Sequence, residues 1–128
     1  MAKKLPTLAP QELAVMKVIW RKGSATVRDV YETLRASRPI AYTTVMTTMN
    51  ILEEKGFLRK TRVDRAYSYK PVRSRQQVVS AMVRDFVNRV FDGAAQPLML
   101  HLAKSEKLTP EERAELKRLI DQVEPEEE

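Results

Sequence analysis

Between residues 10 and 71 the apolar residues change period once. They recur at helical spacing through three successive segments and then alternate, and a chain patterned in this way has few means of burying itself. In "PQELAVMKVIWR" (10–21), Leu13, Met16, Ile19 and Trp20 share one stripe behind Pro10, which suits a first helical position, and Gly23 ends the segment. Thr26 is placed as an N-cap, with Asp29 three residues on in a capping-box position. Val27, Val30, Tyr31 and Leu34 then line a second helix over 27–37, broken at Pro39. Val45, Met49 and Leu52 mark the buried face of a third helix over 42–55, with Gly56 as its left-handed cap. "FLRKTR", "VDR" and "AYSYKP" follow as two strands around a short turn holding Asp64, closed by Pro71.

Neither part of this arrangement is stable alone. Three short helices bury little, and an isolated two-stranded hairpin is marginal. Together, in the order helix, helix, helix, hairpin, they make a winged helix, a variant of the helix-turn-helix. The expected fold is therefore mainly α. A winged helix-turn-helix domain of three helices and a β-hairpin occupies residues 1–73, and a helical dimerisation domain with an acidic tail occupies 74–128.

The second domain reads as all helix. Val78, Val79, Met82, Val83, Phe86, Val87, Val90 and Phe91 make a broad apolar face on a helix over 74–92, stopped by Gly93. A short helix is expected over 97–105. Another opens at Thr109 as cap, with Pro110 first, Glu112 third, and a stripe of Leu116, Leu119, Ile120 and Val123. Three helices, two of them short, make a poor core. Burial of the broad face against a second copy is expected, through Val79, Met82, Val83, Phe86 and Val90, with Leu98 and Leu102 on the next helix.

Charge separates the two parts. Residues 1–75 hold 16 Lys and Arg against 6 Asp and Glu, a net of +10; residues 76–128 hold 7 against 11, a net of −4. The basic part suits a polyanion. "AYTTVMTTMN" (41–50) sharpens that reading. Its spacing sets Thr43, Thr44, Thr47, Thr48 and Asn50 largely off the core. A solvated polar face is the plainer account, but such faces carry mostly Glu and Lys. Short hydroxyl and amide side chains let a helix approach a major groove, and they supply donors, acceptors and a methyl group to base edges. The basic hairpin, with Arg59, Lys60, Arg62, Arg65 and Lys70, stands beside this helix and suits phosphate contacts or an adjacent minor groove.

Catalytic and metal signals are thin. The chain has no cysteine and a single histidine, His101, which makes no metal cluster. The six methionines read as core fillers. No phosphate loop, catalytic serine set or convergent carboxylate pair stands out, so neither an enzyme nor a cofactor is expected. No apolar run reaches membrane-spanning length and the start lacks a signal peptide's apolar segment. A cytoplasmic location is expected, with no membrane insertion.

Five stretches, "LAPQELAVMKVIW", "TVRDVYETL", "AYTTVMTTMNILEEKGFL", "RAYSYKP" and "FDGAAQPLMLHLAKSEKLTPEERAELKRLI", resemble the penicillinase-repressor (BlaI/MecI type) family of bacterial transcription regulators over Leu8 to Ile120. The resemblance implies a homodimeric repressor that occupies an inverted-repeat operator in double-stranded DNA. It also implies base contacts from the first two turns of the third helix, here Thr43, Thr44, Met46, Thr47 and Asn50. Some members carry a lysine and an arginine where this chain has Thr43 and Met46. Thr26, Tyr42, Arg62 and Arg65 are the candidates for backbone contacts. In some members a membrane sensor protease triggers cleavage at an Asn–Phe bond, and the aligned bond here is His101–Leu102. The alternative is a winged-helix adaptor that binds proteins and not DNA.

Overall fold

The computed structural model describes residues 6–105 and 107–123. The acidic tail expected at 124–128 and the reading of the first residues lie outside them. The elements are α1 (Pro10–Lys22), α2 (Val27–Arg35), α3 (Tyr42–Glu54), β1 (Leu58–Val63), β2 (Ala66–Pro71), α4 (Arg75–Val90), α5 (Ala95–Ser105) and α6 (Pro110–Gln122). The fold is mainly helical, with the expected three helices and hairpin at its start. The strands pair antiparallel from Leu58↔Pro71 to Val63↔Ala66, leaving Asp64 and Arg65 as a two-residue turn.

Local signals act where expected. Thr26 Oγ1 accepts from Asp29 N while Asp29 Oδ2 accepts from Thr26 N, a reciprocal capping box at α2. Thr109 and Glu112 repeat it at α6. Gly56 has φ +85, a left-handed turn that lets the chain leave α3 and enter β1 at once. Asp64 has φ 56 in the hairpin turn, where aspartate tolerates that region.

The core lies among α1, α2, α3 and the start of the hairpin. Val15, Met16, Ile19, Val30, Val45, Met49, Leu52 and Phe57 are fully buried there. Leu13 and Trp20, expected in the inner stripe of α1, are only partly buried; Val15 and Val18 take the inner places. Trp20 Nε1 instead donates to the Arg73 carbonyl at 2.9 Å, holding the exit of the hairpin against α1.

Two compact units divide the chain between Arg84 and Asp85, inside α4, rather than at 73/74. The reason is Val78, which is 2% exposed and belongs to the first core. Met82, expected on the dimer face, is half-buried against that same core. The second unit is different in kind. No residue of α5 or α6 is buried, and Phe86, Val90, Leu102, Leu116, Leu119 and Ile120 are all exposed. α5 begins two residues earlier than expected.

Candidate nucleic-acid interface

Tyr69 of β2 organises the site. Its N–H donates to the Ala25 carbonyl at 2.8 Å, and its carbonyl accepts from Ala25 N at 3.0 Å. This bridge fastens the hairpin to the turn between α1 and α2, so that the wing stands beside α3. The Tyr69 phenol is buried and donates to Oδ1 of Asn50 at 3.0 Å. Burial is the largest influence on that phenol and raises it above the usual tyrosine value. Nearby Lys60 opposes the rise without cancelling it, so the hydroxyl keeps its proton.

The outer face of α3 carries Thr43, Thr44, Met46, Thr47 and Asn50, all exposed. Thr48, expected off the core, is not among them. It is 7% exposed, its hydroxyl donates to the Thr44 carbonyl at 2.7 Å, and it accepts from Gln11 Nε2 at 3.4 Å. Its position explains this: it stands three residues after Val45 and four before Leu52, on the inner face. The backbone carbonyl satisfies its hydroxyl, which makes a buried threonine tolerable.

A groove of about 330 Å³ runs between α3, the start of α2 and the wing. Thr26, Tyr42, Met46, Asn50 and Arg65 all line it, so five sequence-predicted residues meet at one place. Thr43, Thr44 and Thr47 continue the exposed face of α3 beyond the groove, and Arg62 stands on the wing beside it. Arg62 Nε donates to the Asp64 carbonyl at 3.3 Å and its guanidinium lies 5.9 Å from the centre of the Tyr67 ring.

Tyr67 and Arg28 went unmarked as site residues in the sequence, and Lys60 was marked only among the basic residues of the hairpin. Lys60 Nζ lies 4.8 Å over the Tyr67 ring and 3.8 Å from Glu53. The signal for it was strand alternation, which puts Lys60 on the same face as Arg62. Arg28 stacks over Tyr42 at 5.7 Å, and Tyr42 meets Tyr31 edge to face at 5.5 Å. These contacts set Lys60 and Arg28 over the rings of Tyr67 and Tyr42, both of which line the groove. No group of acidic or histidine side chains that could hold a metal ion occurs among the described residues. None of the described helices is long and apolar enough to cross a membrane.

Residues 8–122 match the family model described as "Penicillinase repressor". The chain is 37% identical to the transcriptional regulator BlaI of Mycobacterium tuberculosis, over 94% of this chain and 88% of that one. It is 28% identical to the penicillinase repressor of Bacillus licheniformis, over 94% of each. Among solved structures it is similar to the Bacillus licheniformis BlaI monomeric form in complex with the blaP half-operator. That likeness has a TM-score of 0.51 and 31% identity, and covers 59% of this chain and 92% of the other.

Proposed function

Because this chain belongs to the penicillinase-repressor family, we propose that it is a homodimeric transcriptional repressor, which occupies an inverted-repeat operator in double-stranded DNA. The observation that carries this reading is the groove between α3 and the wing, with short polar side chains on α3, Lys60 over the Tyr67 ring on the wing, and Arg28 over Tyr42 at the start of α3.

Each part has a role. Thr43, Thr44, Met46, Thr47 and Asn50 face base edges in the major groove; their shortness lets α3 approach closely. Tyr42, Arg62 and Arg65 contact the backbone, with Lys60 and Arg28 added to them. Thr26 keeps a hydroxyl proton free to donate to a phosphate at the N-terminus of α2, while its oxygen caps that helix. The +10 charge of residues 1–75 supplies affinity for any DNA, and α3 supplies choice of site.

Dimerisation is supported by the second unit, which lacks a core of its own among the described residues, and by the exposed apolar residues of α4 leading into it. Val79, Val83, Phe86 and Val90 lie on α4, with Leu98 and Leu102 on α5, and a second copy covers them. A two-fold dimer presents two α3 helices to two half-sites, and repression results from excluding polymerase. The protein works in the cytoplasm, where promoter DNA is.

The salt series of a gel shift on DNA upstream of the protein's own gene tests the reading. With roughly 6–10 phosphate contacts per dimer, affinity falls on the order of 10³–10⁵-fold between about 50 and 200 mM salt. Absence of binding at low salt, or binding indifferent to salt, favours the adaptor instead.

A further inference from the structure

Resting on the reading of α3 as the base-contacting helix, we propose that Tyr69 is a positioning residue, which presents Asn50 to DNA as a hydrogen-bond donor and thereby sets the base preference at that position. Three observations support it. Tyr69 is anchored, being 2% exposed with both backbone groups paired to Ala25. Its hydroxyl reaches Asn50 Oδ1 at 3.0 Å. Asn50 is itself exposed and lines the groove.

The chemistry follows from the inventory of a carboxamide, which has one acceptor oxygen and one NH₂ with two donors. A freely turning asparagine reads adenine with both ends: the oxygen accepts from N6 and the NH₂ donates to N7. Here the inner hydrogen bond takes one of the oxygen's two lone pairs and turns that atom toward the buried phenol. The NH₂ group is left for the groove, where it complements acceptors such as guanine O6 and N7 or thymine O4. Flipping Asn50 to offer its oxygen outward turns the NH₂ toward the phenol oxygen, which can accept from it, but takes away the acceptor of the buried phenol proton. Because burial keeps Tyr69 protonated, its donor stays in place across the physiological range. The amide is also ordered before DNA arrives, which lowers the entropic cost of the contact.

Base preference at each operator position, measured for the full-length protein and its variants, tests this. Wild type favours guanine or thymine over adenine at one base pair. Tyr69→Phe keeps the buried ring and removes only the hydroxyl. It is expected to lose about 5- to 10-fold of the discrimination against adenine at that base pair, with other positions and random-DNA affinity unchanged. In an Asn50→Ala background Tyr69→Phe adds nothing. Asn50→Gln, at an exposed position, carries the amide off the phenol without touching the core and gains adenine in the same way. Loss of discrimination in Asn50→Ala but not in Tyr69→Phe or Asn50→Gln overturns the inference and leaves the reading of α3 standing. An equal loss at every site in Tyr69→Phe, with adenine still rejected by Asn50→Gln, also overturns it. If Asn50→Ala changes no position, the reading of α3 fails first.

Discussion

The Glu12 carboxylate takes the Lys55 ammonium at 2.9 and 3.0 Å, joining the first turn of α1 to the residue that ends α3. The same carboxylate accepts from Ala9 N at 2.7 Å, so it also closes the N-terminus of its own helix. Its side chain is 9% exposed and that of Lys55 is 34% exposed. The pair thus fixes where α3 ends relative to α1, and so the angle at which α3 projects.

Stability should therefore depend on Glu12 and on acid. Burial alone raises its carboxyl; Lys55 and the Ala9 N–H outweigh burial and hold it below the ordinary 4.5. A group lowered in the folded state stabilises above its unfolded value and loses that contribution as pH falls through the folded value. Glu12→Gln should lower unfolding free energy at pH 7 by about 1–3 kcal/mol, since Lys55 still reaches water. The difference between variant and wild type should shrink as pH drops below about 4. Urea melts at pH 7 and below pH 4 measure it.

Base reading and backbone holding should separate by substitution. Thr47→Ala removes a hydroxyl and a methyl from the exposed face of α3. It should cost about 1–3 kcal/mol at one base pair and nothing on random DNA. Arg65→Ala, at the tip of the wing, should weaken operator and random DNA alike and reduce the salt slope by about one. Competition binding against single-base operator variants distinguishes the two.

Two positions on α4 should respond in opposite ways to a buried charge. Phe86 is 40% exposed in the single chain, so Phe86→Asp should leave the winged helix folded and yield a monomer that has lost operator binding. Val78 is 2% exposed in the first core, so Val78→Asp should unfold that unit itself. Sedimentation and thermal unfolding together read both outcomes. A Phe86→Asp dimer moves the interface elsewhere.

How much of this was legible in the sequence depends on the range of the interaction. The stripes of α2 and α3 followed from spacing, and the capping boxes of α2 and α6 from residues three apart. Thr48 was misplaced because its hydroxyl is satisfied by its own helix, so a residue that looks polar is buried at no great cost. On α4, Val78 and Met82 point roughly a quarter-turn away from Val79, Val83, Phe86 and Val90. Periodicity saw one broad apolar face. It carried no information on which part packs on the first core. The Tyr69–Asn50 bond joins residues 19 apart across two elements, and no local signal announces it.

Cleavage between His101 and Leu102 should be slow. The bond lies within α5, and Ser105 Oγ donates to the His101 carbonyl at 2.7 Å. A protease needs extended backbone, so α5 must open first. A sensor protease with strict Asn–Phe preference also meets an imidazole and a branched aliphatic there, a mismatch in both pockets. Co-expression with such a protease and its own repressor should leave this chain intact while the control is cut. Cleavage at the control's rate would show that neither the helix nor the two residues protect it.

Selection of bound sequences from a random duplex pool, at moderate salt, measures operator recognition by the dimer itself. The expected result is enrichment of an inverted repeat whose two half-sites lie about one helical turn, roughly 10 base pairs, or a multiple of it apart, with one dimer bound per repeat. Enrichment of a single unpaired site by a monomer, or no enrichment over the starting pool, would contradict it.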